Sequence, residues 1–295
     1  MAKVTGIRTI RIAERPNLIW VLVETNDGLT GLGESFRGAE AVEAAIHAQI
    51  APWLLGRDAR RIEAISRHLL TPYVGFHSAS AEVRAASAID IALWDLAGQR
   101  HGIPIHEALG GASRDSIPAY NTCAGYAYNT SGTERRAIGA LDQTRGPYDD
   151  QIAFTRDAGA LAESLLSEGY RAMKIWPFDP YAAPSGGHLI APEDLKAGLE
   201  PFRKIREAVG TEMDVMVEFH SLWDLPTAQK IARALEEFEP YWFEDPLKAD
   251  DLDALAEFAS STHVPVTASE TLSGRPAFRE LMEKGAAKIV MLDVS

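Results

Sequence analysis

Three glutamates, Glu218, Glu244 and Glu270, each close a short apolar run and recur at one spacing, since 244 − 218 and 270 − 244 both give 26. The runs Val215-Met216-Val217, Tyr241-Trp242-Phe243 and Val264-Pro265-Val266-Thr267-Ala268 have the length and composition of strands, and the segments between them carry helical periodicity. Strand, helix and strand at a fixed period make a parallel β/α array. If successive strands lie side by side in a closed barrel, their C-terminal ends form one rim, which is where such barrels build their active sites. The three carboxylates then converge. Three anions on one rim repel unless a cation sits among them, and an oxygen-only trio suits Mg²⁺ or Mn²⁺ better than zinc.

The rest of the chain fits two blocks. Residues 1–116 read as an α+β domain. Val4 to Ala13, Leu18 to Thr25 and Leu29 to Glu34 are strands, with Asn26-Asp27-Gly28 as a hairpin turn. Helical patterns follow over Ala39 to Leu55, around Ile62, Ile65 and Leu69, and over Ser80 to Gln99, the last stopping near Gly102-Ile103-Pro104. Residues 117–295 read as the barrel domain. Its strands are expected at Ile117 to Cys123, Arg171 to Trp176, Met213 to Glu218, Tyr241 to Glu244, Val264 to Ser269 and Ala287 to Asp293. Two long loops, Ala124 to Gln151 and Pro177 to Ala191, break the rhythm and are candidate lids or specificity elements. From Ile117 onward the chain is shorter than the roughly 200 residues that an eight-strand barrel needs. The expected fold is therefore an α+β N-terminal domain followed by a TIM-type β/α barrel, C-terminally truncated after about six strands.

Composition excludes several classes. A net charge of −13 with no basic cluster argues against nucleic acid, whose affinity comes from Lys and Arg neutralising phosphates. Cys123 is the single cysteine, so an intrachain disulfide and a cysteine-rich zinc site are both ruled out, and it is expected to be a small buried hydrophobe. The chain shows no apolar signal core at its N-terminus and no run near the roughly 20 apolar residues that span a bilayer. No membrane partner and a cytoplasmic location are expected.

Beside the trio, His220 lies two residues beyond Glu218 and shares its face if the strand continues that far. It is the candidate general acid or base. Lys174 closes the second barrel strand and would project to the same rim, to pair with a substrate carboxylate or to act as a base with a lowered pKa. Asp293, late in the sixth strand, is a weaker catalytic candidate. Gly31-Leu32-Gly33-Glu34 lacks the third glycine and following helix of a dinucleotide fingerprint, and neither a Gly-x-Ser-x-Gly elbow nor a phosphate loop occurs.

Taken in order, the Gly-x-Gly-Glu at 31–34, the helix segment Ala88-Ile89-Asp90-Ile91-Ala92-Leu93-Trp94-Asp95-Leu96, the Lys174 strand and the glutamate trio resemble the enolase superfamily, in its mandelate racemase and muconate lactonizing enzyme branch. The resemblance implies an N-terminal capping domain, one Mg²⁺ held by Glu218, Glu244 and Glu270, and removal of the proton α to a carboxylate to give a metal-stabilised enediolate. A lysine or histidine base with Mg²⁺ is the general pattern of such sites. Trp176 stands where racemases of the branch resemble Lys-x-Lys, and Glu218-Phe219-His220 is similar to the third-strand pattern of mannonate-dehydratase-like enzymes. The expectation is a Mg²⁺-dependent acid-sugar dehydratase acting on a small carboxylate, assembled as a homo-oligomer. The alternatives are a racemase, epimerase or cycloisomerase, or a truncated paralogue without turnover.

Overall fold

The computed structural model of the chain describes residues 1–72, 80–125 and 149–295. Most of the long loop expected at Ala124 to Gln151 lies outside the described residues. Two compact units divide after Ile117.

In the first unit, β1 (Val4–Ile10), β2 (Leu18–Thr25) and β3 (Thr30–Phe36) form an antiparallel meander. The Asn26-Asp27-Gly28 turn joins β2 to β3, with Gly28 at φ +83° and its N–H donating to the Thr25 carbonyl at 3.0 Å. Strand alternation buries Ile19, Val21 and Val23 on one face of β2. Helices α1 (Ala39–Ala45), α2 (Ala51–Leu54), α3 (Ile62–Leu70), α4 (Ala81–His101) and α5 (Ile105–Ala108) follow. The single helix expected over Ala39 to Leu55 is interrupted by π-helical Ile46–Ile50, just where Pro52 has no N–H to continue the regular ladder. Helix α4 packs Ala85, Ala88, Ile89, Ala92 and Leu96 into the core with β2 and β3, and ends at Gly102 in the left-handed conformation.

The same contact explains the Gly-x-Gly segment. A β-carbon on Gly33 would lie 1.9 Å from the Ala88 carbonyl oxygen, and one on Gly31 would lie 2.1 Å from that of Ala92. Strand backbone therefore rides directly on helix backbone, an approach that only glycine permits. Gly33→Ala is expected to cost about 3 kcal/mol or more, because neither partner is a flexible side chain that can yield. A urea midpoint equal to that of the parent protein would contradict this packing.

In the second unit, α6 (Asp150–Ser167), β4 (Ala172–Ile175), α7 (Asp179–Ala182), α8 (Pro192–Val209), β5 (Asp214–Glu218), α9 (Leu225–Leu235), β6 (Phe243–Glu244), α10 (Leu252–Ser260), β7 (Val266–Ala268), α11 (Arg275–Glu283) and β8 (Ile289–Val290) alternate as the period requires. The strands are all parallel and lie in sequence order, β4-β5-β6-β7-β8. Outward residues feed an aromatic cluster in which Phe219, Phe243 and Phe258 pack edge to face at 5.6–6.1 Å.

All the expected barrel strands are shorter than the sequence suggested, and the first and last most of all. Ile117 to Cys123 reduces to one parallel bridge, Asn121 with Met173. Pro118 can donate no backbone bond, and after Asn121 the chain folds back, with its side-chain oxygen accepting from Cys123 N at 2.6 Å and Cys123 at φ +51°. Cys123 is fully buried, as its reading as a small hydrophobe required. The last strand is Ile289–Val290 alone, not Ala287 to Asp293. Among the described residues no helix is long and apolar enough to cross a membrane.

Candidate functional site

The parallel register sets the first part of the site. Glu218 pairs with Glu244 across β5 and β6, and Lys174 pairs with Met216 across β4 and β5. Two-residue alternation then puts Lys174, Glu218 and Glu244 on one face at the C-terminal end of the sheet. Their side chains meet. The Lys174 ammonium donates to Glu218 Oε2 at 3.0 Å and to Glu244 Oε1, and all three side chains are less than 10% exposed. The second oxygen of Glu244 accepts from the Trp242 indole Nε1 at 3.0 Å. Tyr120 closes this side, with its ring 5.7 Å from the Lys174 ammonium.

Two buried carboxylates sharing one ammonium cannot both ionise freely. Burial, together with the charge and hydrogen bond of Glu218, raises the Glu244 pKa to about 8 against the opposing pull of Lys174. Burial alone would lower Lys174, but the Glu218 and Glu244 charges outweigh it and hold the ammonium above its ordinary range. A base with a lowered pKa, one of the two roles expected for Lys174, runs against this arrangement. Asp245, next along the chain, is also buried. Burial and the charges of Glu244 and Glu270 raise it to about 7, and its Oδ1 has no hydrogen-bond partner among the described residues.

His220 reaches the cluster by a different route from the one expected. β5 ends at Glu218, and His220 and Ser221 both take left-handed conformations, φ +51° and +54°, so strand alternation does not extend to them. The His220 N–H instead donates to Glu218 Oε1 at 2.8 Å, completing the shell of that carboxylate. Its ring Nδ1 lies 2.6 Å from Asp179 Oδ2, and Trp176 packs edge to face on it at 5.5 Å. Burial pulls the imidazole down, but the Asp179 hydrogen bond and charge, with Glu218 behind them, raise its pKa to about 9. The shift favours the imidazolium at neutral pH. Strain of this kind, in side-chain-bearing residues at strand ends, is a mark of functional sites.

Glu270 and Asp293 are placed differently. Glu270 lies two residues beyond β7, half-buried, and its charge acts on Asp245 and Tyr120 at this same end. Among the described residues no three His, Cys, Asp or Glu side chains form a ready-made metal-holding group. Glu218 and Glu244 converge on Lys174. Asp293 is exposed, three residues beyond β8. Sequence reading missed Asp179, Trp242, Tyr120 and Asp245. Trp242 was within reach of the two-residue rule from Glu244, whereas Asp179 in Phe178-Asp179-Pro180 looks like an ordinary turn.

Similarity to known proteins follows the same division. Residues 7–110 match the family described as "Mandelate racemase / muconate lactonizing enzyme, N-terminal domain", and residues 157–295 match "Enolase C-terminal domain-like". A D-galactonate dehydratase from Xanthomonas euvesicatoria pv. vesicatoria is 30% identical over 296 residues, which are 99% of this chain and 68% of that protein. The chain belongs to the mandelate racemase/muconate lactonizing enzyme branch of the enolase superfamily. An enolase protein from environmental sequencing of the Sargasso Sea superposes with a TM-score of 0.86 at 51% identity, covering 100% of this chain and 72% of that one. A mandelate racemase subgroup enolase from Agrobacterium tumefaciens does so at 0.84 and 47%, covering 99% and 70%. The architecture is thus the enolase-superfamily pair of an N-terminal α+β domain and a C-terminal β/α-barrel domain. Within this branch, the donor set around Lys174 fits a hard cation. It consists of carboxylate oxygens alone, and two of the groups, Glu218 and Glu244, are in register.

Proposed function

We propose that this chain is a Mg²⁺-dependent dehydratase of a small sugar acid, with D-galactonate-like aldonates as the first substrates to try. The observation that carries this reading is the Asp179–His220 pair beside the Lys174–Glu218–Glu244 cluster. The pair supports a proton donor beside a cluster whose carboxylates would suit a cation. Relatives bearing the name D-galactonate dehydratase, at 29–30% identity, support the substrate class.

Glu218, Glu244 and Glu270 would hold the cation, which supplies electrostatic stabilisation to the charge that builds on the substrate carboxylate as the α-proton leaves. His220 acts as the general acid. With Nδ1 engaged by Asp179, the other ring nitrogen gives its proton to the departing β-hydroxyl, which leaves as water. Lys174 in its present pairing is a fixed cation that orients the substrate carboxylate. With Glu218 and Glu244 turned to the metal cation, burial would pull the Lys174 pKa down, and its neutral amine would accept the α-proton. We assign no role to Asp293.

Loss of the α-proton and of the 3-hydroxyl leaves an enol that becomes a 2-keto-3-deoxy acid, so one assay tests the reading. Purified protein, Mg²⁺ and a panel of aldonates including D-galactonate are incubated in deuterium oxide. Keto-acid formation is followed as its semicarbazone, and α-deuterium incorporation by mass spectrometry. Keto acid is expected for at least one aldonate and only with the cation present. Deuterium exchange without loss of water would point to a racemase, and neither signal across the panel would refute the proposal.

A further inference from the structure

We propose that Trp242 is a positioning residue for the cation site, fixing the Glu244 carboxylate through its indole N–H so that only Oε1 is offered to the centre of the cluster. The inference rests on the reading of Glu244 as a cation ligand. It goes beyond that reading by assigning work to a residue outside the carboxylate set.

The geometry is specific. Trp242 immediately precedes β6, and its carbonyl accepts from Val217 N at 3.1 Å, so the ladder already runs through it. Two-residue alternation therefore aims its side chain along the same face as Glu244. An indole has a single donor and no acceptor. That donor is used on Glu244 Oε2 at 3.0 Å. The ring cannot easily turn away, because Tyr120 packs edge to face on it at 5.3 Å and Tyr241 at 5.4 Å. Glu244 Oε1, by contrast, points to the Lys174 ammonium and hence toward Glu218. The two oxygens are thus differentiated. One is held by a neutral donor that a cation cannot replace, and the other by an ammonium whose place a cation can take. Oriented in this way, the carboxylate needs no reorganisation to become a one-oxygen ligand, and partners that orient a metal ligand typically contribute 10–100-fold in metal affinity.

The test is metal binding by the full chain, with no substrate needed. Mg²⁺ and Mn²⁺ affinities are measured by titration calorimetry for the parent protein, Trp242→Phe and Trp242→His. Phenylalanine keeps an aromatic ring but removes the N–H, and histidine restores a ring donor. The expected result is a loss of affinity of about 10-fold or more for Trp242→Phe, with partial recovery for Trp242→His. In parallel, the indole N–H signals of the six tryptophans are followed by NMR as Mg²⁺ is added. The signal missing from either variant identifies Trp242, and it should move on binding. Loss of packing alone would lower thermal stability without moving that signal in the parent protein. Unchanged affinity in Trp242→Phe, or a Trp242 signal that stays in place at saturating Mg²⁺, would overturn the inference while leaving the cation site intact. Absence of binding to the parent protein would refute the cation site and this inference with it.

Discussion

Lys174→Met is expected to destabilise the protein by about 3–5 kcal/mol at neutral pH, because it removes the ammonium from between two buried carboxyl groups and leaves the negative charge they share uncompensated. The pH dependence gives the prediction its sign. Glu244 is held at about 8 in the folded protein against 4.5 for an ordinary glutamate, so below 4.5 its protonation costs folding nothing. Between 4.5 and 8 the unfolded chain gains progressively by releasing a proton that the folded state retains. In the Lys174→Met variant the opposing pull of the ammonium is gone, and the penalty grows toward alkaline pH. Urea unfolding across pH 4 to 9 should therefore show the variant closest to the parent at the acid end. Millimolar Mg²⁺ should restore much of the loss at pH 8, since a cation that binds only the folded state stabilises it by mass action. A variant as stable as the parent at pH 8 would mean that the carboxylates do not depend on Lys174.

What the sequence showed of this site follows from what a strand imposes. The alternation and register of parallel neighbours are set by the backbone, so the equal spacing of Glu218 and Glu244 sufficed to bring them together, and Lys174 followed from the strand before them. Glu270 has the same spacing but stands two residues past β7, where no ladder fixes it. His220 lies beyond the ladder too. Its place depends on two successive left-handed residues, whose side chains, histidine and serine, give little warning of that conformation. Asp179 was invisible for a related reason. It opens the short helix α7 after β4 and meets His220 across 41 positions, a distance that no local periodicity reports. The Gly31 and Gly33 pair was read against a nucleotide fingerprint that it does not make and as part of the family resemblance, but not for its packing. Its purpose, backbone contact with Ala88 and Ala92, needs the partner helix in view.

His220→Ala is expected to lower turnover by about 10²–10⁴-fold while leaving cation affinity nearly unchanged. The two readouts separate because His220 serves the site twice. Its backbone N–H, which donates to Glu218 Oε1, survives the substitution, and only the ring is lost. Asp179→Asn tests the other half of the pair. The raised His220 pKa, about 9 against 6.5, comes from the Asp179 hydrogen bond and charge working against burial. A group raised in the folded state contributes stability that is fully present below 6.5 and is lost as the pH rises to about 9. The same shift keeps the proposed general acid protonated through neutral pH, so activity in the parent is expected to fall on an alkaline limb near 9. With asparagine at position 179 the charge is gone and burial dominates, so that limb should move toward 6.5 or below, and the stability difference between variant and parent should vanish above pH 9. A pH profile that does not move would mean that another group supplies the proton and that the Asp179–His220 bond serves only to hold α7 in place.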